Sequence, residues 1–277
     1  MFKVKSIWHF SNLLSLDVVF GAMAGMLFFA DVLNVVVPVE SYLILGMAVW
    51  SIYTLDHLWD ARFVSEKASS DRHRFHQQNF RTLSGILIFT IISGLVIVLL
   101  TPQLKFILVP GLFLGFMMLI WMGILHLIGK KLSWLKEVST AVFYVLGISL
   151  APFFKLLPNE IPFPFYLFLI GYFILAFVNL LILSFLDEKE DERDGFGSIL
   201  QHVRKPQLKK YINFLGLISA MMMVAFVIIL PSYFKIHASI LLLLILFHIL
   251  EFQKNDRGKT RQKLEASFLL PFILLFF

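Results

Sequence analysis

An all-α membrane protein, a bundle of nine transmembrane helices, is the fold this sequence predicts, and three observations predict it. Of 277 residues, 59% are hydrophobic and only 15% charged, too few charges to clothe a soluble domain of that length. The apolar residues fall in runs of about 20, the length that crosses ~30 Å of hydrocarbon at ~1.5 Å per residue. Basic residues gather in every second connection, as expected when loops alternate between two sides of a membrane.

Nine apolar segments carry the prediction: 15–37, 40–58, 83–101, 104–128, 134–154, 164–186, 209–231, 234–252 and 264–277. The first follows Lys3 and Lys5 as a signal peptide would, with Ala22 and Ala24 as a small-x-small pair. Asp17 inside the apolar core and the continuation to Val37 predict a retained span instead. Pro38, Pro102, Pro158, Pro162 and Pro164 stand in connections, where helices have to stop, while Pro110, Pro152 and Pro231 fall within or near span ends and predict kinks. The ninth segment holds only about a dozen clearly apolar residues, ~18 Å of helix, so it is tilted into a thin region or spans incompletely.

Charge sets the orientation. Lys and Arg collect at the N-terminus, in 59–82 (Arg62, Lys67, Arg72, Arg74, Arg81), at Lys130 and Lys131, in 189–210 and in 254–263. The alternate connections hold only Asp31 and Glu40, Lys105, Lys155 with Glu160, and Lys235. The positive-inside rule then places the N-terminus in the cytoplasm and the C-terminus outside, in a bacterial inner (plasma) membrane. The net charge of +6 is topological by this reading, and no nucleic-acid partner is implied. With no cysteine there is no disulfide and no thiolate metal site. The chain reads as one domain, 1–277, with a cytoplasmic polar cap formed by loops 59–82 and 187–208.

Two spans end in acids. "SIYTLDHLWDARF" closes the second with Asp56 and Asp60, and "LSFLDEKEDERDG" closes the sixth with Asp187 and Asp191. A spacing of i, i+4 puts each pair on one helix face, where like charges repel and the helix C-terminus is already negative. A cation reverses both penalties, and Mg²⁺ is the small ion that takes one or two carboxylates and completes its shell with substrate phosphates. The bland alternative is that these acids are solvated interface residues. Their contexts match, however: Asp56-x-x-x-Asp60-x-Arg62 and Asp187-x-x-x-Asp191-x-Arg193 each follow an even-numbered span, four spans apart. That placement predicts two distantly related four-helix halves.

Two aspartate-rich motifs at the cytoplasmic ends of spans 2 and 6 of a nine-helix membrane protein resemble the UbiA superfamily of intramembrane prenyltransferases. The resemblance covers nearly the whole chain in topology and the two motifs in residue detail, with Gly195 also fitting the second. It implies that Asp56, Asp60, Asp187 and Asp191 are catalytic ligands for Mg²⁺. It also implies an isoprenyl diphosphate donor, whose prenyl group passes to a lipophilic acceptor among membrane lipids. The family's first motif opens with Asn four residues before the first Asp; that position here is Ile52. Tyr53, Thr54 or a loop arginine such as Arg72 would have to supply the contact an amide makes there.

Further candidates come with alternatives. In "SSDRHRFHQQN", Arg72, His73, Arg74 and His76 can clamp diphosphate oxygens or serve only as positive-inside charge. Lys136, entering span 5 beside Glu137 at the level of the acids, is a diphosphate ligand or one half of an ion pair. Asn179, two turns before Asp187, points into a cavity or bonds a neighbouring helix. Tyr53, Arg62 and Arg193 complete the substrate-binding candidates. Asp17 suits the positive end of its own helix. The 31 phenylalanines are mostly lipid-facing, with a subset able to shield a carbocation. The expected function is Mg²⁺-dependent prenyl transfer. The alternatives are a catalytically silent polyprenyl- or lipid-phosphate-binding protein and a secondary transporter, the last predicting ionisable groups near the bilayer midplane.

Overall fold

The computed structural model describes residues 10–64, 68–128, 134–254 and 257–277, and every regular element among them is helical. In chain order these are α1 (Leu16–Val32), α2 (Val39–Phe63), α3 (Asp71–Gln78), α4 (Phe80–Leu100) and α5 (Lys105–Ile128). Then follow α6 (Trp134–Phe153), α7 (Phe163–Asp194), α8 (Lys205–Ile229), α9 (Ser232–Phe252) and α10 (Arg257–Ser267). A 3₁₀ stretch, Leu270–Phe276, closes the chain.

Among the described residues, six helices, α4 to α9, are long and apolar enough to cross a membrane. Three of them start at prolines. α7 starts at Pro162 and Pro164, α8 carries Pro206 in its first turn, and α9 begins just after Pro231. Pro110 and Pro152 lie inside α5 and α6. α1 has 17 residues and is the most enclosed helix, with Ala22, Phe28 and Phe29 fully buried. α2 has 25 residues and carries the first acid pair in its last two turns.

Each helix packs on its neighbour in sequence: α1 on α2, α2 on α4, α4 on α5, then α6 on α7, α7 on α8 and α8 on α9. α1 also lies along α6, joining the two runs. The shared core is aromatic, with Phe28 edge-on to Phe168 at 5.7 Å and to Tyr172 at 5.5 Å. α4 and α5 turn Phe89, Leu100, Val109 and Phe113 outward, each at least 67% exposed. Apolar faces of that size belong in lipid.

Two expectations are corrected. The segment 187–208 is not a loop from its start, because α7 continues to Asp194. The charged run 187–194 has no Gly or Pro to stop a helix. It ends at Gly195, whose φ of 78° is the left-handed conformation that favours glycine at a helix C-terminus. The ninth apolar segment, 264–277, is not one continuous helix. α10 ends at Ser267, and a 3₁₀ stretch containing Pro271 follows. Lys3, Lys5, Lys67, Lys130 and Lys131, which help to set the predicted orientation, lie outside the described residues.

Candidate functional site

Both acid pairs line one cavity of about 610 Å³. Asp56 and Asp60 reach it from the end of α2, Asp187 and Asp191 from the late turns of α7. The two helix ends meet at His73 on α3. Its Nε2 lies 3.9 Å from Asp60 Oδ2 and its Nδ1 3.8 Å from Asp194 Oδ2. α3 is held in place by Ser70, whose Oγ caps the helix by accepting from the His73 amide at 3.1 Å. Asp194 adds to this by accepting from the Ser69 amide at 3.0 Å. Burial pushes the His73 imidazole below its ordinary range, against the pull of Asp60 and Asp56, and lowers His76 in the same way. Neutral rings near pH 7 add no positive charge beside these carboxylates.

The chain supplies part of the compensation. Lys136 Nζ on α6 sits 3.9 Å from Asp56 Oδ2 and 4.0 Å from Asp60 Oδ2. Of its two expected roles, therefore, the ion pair is realised, at the cavity wall. His126 on α5, stacked on Trp59 with ring centres 4.6 Å apart, brings Nε2 to 3.5 Å from Asp60 Oδ1. Asp187 is paired with Arg261 of α10. Among the described lining residues, eight carboxylates still face three lysines or arginines. That surplus, at the end of a hydrophobic bundle, is a place for a cation.

The donor set fits Mg²⁺, a hard ion that takes oxygen ligands. Among the described residues no group of three or more His, Asp or Glu side chains is arranged to hold a metal alone. An ion shared between one or two carboxylates and phosphate oxygens does not need such a group. A second sign of an unfilled polar role is Asn179: its side-chain oxygen is buried without a partner among the described residues, and the residue lines the cavity.

A second cavity of about 520 Å³ adjoins the first and is almost wholly apolar. The two share Ile52, Tyr53, Met118, Thr140, Phe143 and Tyr144 in their walls. Gly111, Gly115 and Gly147 line the apolar chamber, and a Cβ added at any of them would meet nothing within 4 Å. A polar head and an apolar tail thus have contiguous rooms.

Of the predicted residues, Asp56, Asp60, Asp187, Asp191, Tyr53, Arg72, Lys136 and Asn179 line the polar cavity. Arg62 and Arg193 do not. Both are exposed, because a residue two beyond the second acid lies on the opposite side of its helix. Thr54 is buried but lines neither cavity, which leaves Tyr53 and Arg72 beside Ile52. Asp17 does bond its own helix start, accepting from the Val18 amide at 3.0 Å, and its other oxygen accepts from Asn12 at 2.7 Å.

No protein-family model, curated protein or solved structure matches this chain.

Several cavity residues escaped the sequence reading, Glu190 and Asp194 in the charged run after Asp187 among them. His57 and His126 lie inside apolar segments, where a lone histidine carries no pattern. Arg261 and Glu265 straddle the start of the ninth apolar segment, and their i, i+4 spacing was the available signal. Arg261 Nε donates to Glu265 Oε1 at 3.2 Å, so the pair is formed.

Proposed function

We propose that this chain transfers a prenyl group, with Mg²⁺, from an isoprenyl diphosphate to a lipophilic acceptor inside the membrane, as the resemblance to the UbiA superfamily implies. One observation carries the reading: two acid pairs, far apart in sequence, line one polar cavity that opens onto an apolar chamber. An anionic head beside carboxylates requires a metal between them, and an apolar chamber beside that head requires a hydrocarbon tail. The matching helix order of α1, α2, α4, α5 and of α6 to α9 supports two related four-helix halves. In this proposal α1 and α2 cross together with the six longer apolar helices. The segment 264–277 is the ninth, partial passage, the N-terminus is cytoplasmic, and the membrane is a bacterial inner membrane.

Asp56, Asp60, Asp187 and Asp191 would hold the ion. When bound, it supplies positive charge that stabilises the departing diphosphate. Arg72 and Lys136 donate to the head's oxygens. Tyr53, Phe143 and Tyr144 form the throat between the rooms, where they exclude water and turn aromatic rings towards developing positive charge. The allylic C–O bond breaks with its electron pair leaving on the diphosphate. The acceptor's electron pair makes the new bond to carbon, and the acceptor releases a proton.

Ile52 supports a second reading, binding without turnover. It lines both cavities at the position where the family places an amide, and it can neither donate nor accept. A transfer assay with farnesyl diphosphate and mixed lipophilic acceptors separates the two. The enzyme reading expects wild-type product that disappears in EDTA, and a loss of about 100-fold for Arg72→Ala. The binder reading expects no wild-type product and a gain in Ile52→Asn. Product indifferent to both Mg²⁺ and the aspartates would overturn both.

A further inference from the structure

Helix α10 brings to the cavity a guanidinium that no motif marks. Arg261 Nη1 is paired with Asp187, and its Nε donates to Glu265 Oε1 at 3.2 Å. Arg72 arrives from α3, and its Nη2 donates to both oxygens of the same Glu265 at 3.3 Å. One carboxylate, only 5% exposed, therefore holds two guanidiniums side by side. Glu265 is itself fixed by Asn12, whose Nδ2 donates to Oε2 at 2.6 Å and also to Asp17. Both arginines line the polar cavity with the motif acids.

A guanidinium carries five N–H donors in a rigid planar fork. Among the described residues, Arg72 commits only Nη2 to a side chain, and Arg261 only Nη1 and Nε. Each keeps donors in reserve, and the two forks are set in a fixed relation by a shared partner. A tetrahedral oxyanion is the ligand that uses such a pair, because its oxygens accept from two forks at once. A carboxylate ligand has only two oxygens and would find the surrounding acids repulsive. A phosphate or diphosphate can present some oxygens to arginine and others to a metal held by those acids.

We propose that Arg261 is the second anchor, beside Arg72, for a phosphate or diphosphate group, and that Glu265 is the positioning residue that sets both. The tail that this group carries rests on the prenyl-transfer reading. The anion chemistry is shared by free pyrophosphate and by any lipid with the same head.

The test is calorimetric titration of the purified full-length chain, in detergent with Mg²⁺, using inorganic pyrophosphate and farnesyl diphosphate as separate probes. Arg261→Gln should weaken both by about 10-fold or more, as expected for a lost charged fork. Arg261→Lys should recover only part of that, since an ammonium is a point charge. Glu265→Gln should weaken both probes with no change in their stoichiometry. A folded Arg261→Gln protein that binds pyrophosphate like wild type would overturn the proposal. If that variant does not fold, Arg261→Lys decides: weaker binding upholds the proposal and wild-type affinity removes it. Arg261-dependent binding of pyrophosphate, with farnesyl diphosphate held no tighter, keeps the anchor and ends the prenyl reading. Tight farnesyl diphosphate binding indifferent to Arg261 does the reverse, and a wild-type chain that binds neither probe sinks both.

Discussion

The two acid pairs share the pattern D-x-x-x-D-x-R, yet the molecule treats them differently. Asp56 and Asp60 are enclosed by bases from three helices: Lys136 on α6, His73 on α3 and His126 on α5. Asp187 has Arg261 of α10 as its ion-pair partner, and α7 runs about two further turns past it before Gly195 stops it. Asp60 is 9% exposed in its side chain, against 28% for Asp56 and 24% for Asp187. The same local motif thus gives one pair ringed by bases from three helices and one whose first acid is tied to a single arginine. Helix periodicity puts the acids on one face, but the surroundings of that face come from chain far away.

If both pairs hold metal with a diphosphate, the difference between them should vanish in function. Asp56→Asn and Asp187→Asn should each lower Mg²⁺-dependent turnover by about 100-fold, the cost of removing one contact to charge that develops in a transition state. A large loss for Asp56→Asn beside full activity for Asp187→Asn would make the second pair ordinary surface.

The next effect lies in the apolar chamber. Gly115→Leu fills space that a hydrocarbon tail would occupy. It should cost roughly 10-fold in affinity for a long prenyl diphosphate, the scale at which lost or blocked methylenes discriminate. Binding of inorganic pyrophosphate should not change. Equal losses for both probes would mean that the variant distorts the bundle.

Lys136→Met sharpens the contrast between the pairs, because it strips Asp56 and Asp60 of their shared cation and leaves the Asp187–Arg261 ion pair in place. Lys136 is 48% exposed in its side chain, so solvent screens the interaction and the expected loss of stability is about 1 kcal/mol. Added Mg²⁺ should restore more stability to the variant than it adds to wild type. Identical Mg²⁺ responses would place the ion elsewhere.

The smallest effect is expected at the third letter of the shared pattern. Arg62→Ala and Arg193→Ala should change stability by no more than ~0.5 kcal/mol and leave turnover alone, as exposed residues away from the cavity do. A large loss in either would return the arginine to the site.

These predictions show what could be read before the fold. Apolar runs carry their own boundaries, since Pro38, Pro162 and Pro231 stop helices wherever the rest of the chain lies. The acid pairs were legible for the same local reason. The run after Asp187 was misread because charge marks the end of an apolar segment, not the end of a helix, and nothing before Gly195 stops this one. Arg62 and Arg193 share a pattern with the acids but not their helix face, and both stand outside the cavity. Arg261 and Glu265 stayed hidden because their partners, Asp187 and Arg72, are 74 and 193 residues away. No short-range rule reaches that far.

The central claim is that the two acid pairs act with a divalent ion on one phosphorylated, hydrocarbon-tailed ligand. Thermal unfolding of the wild-type chain with farnesyl diphosphate, in Mg²⁺ and then in EDTA, tests it most directly. At about 100 times the dissociation constant the ligand should add ~2.7 kcal/mol of stability in Mg²⁺. In EDTA that gain should fall to near zero. A stabilisation of equal size in both would contradict the claim, because the carboxylates would then be meeting the diphosphate without the ion that reconciles their charges.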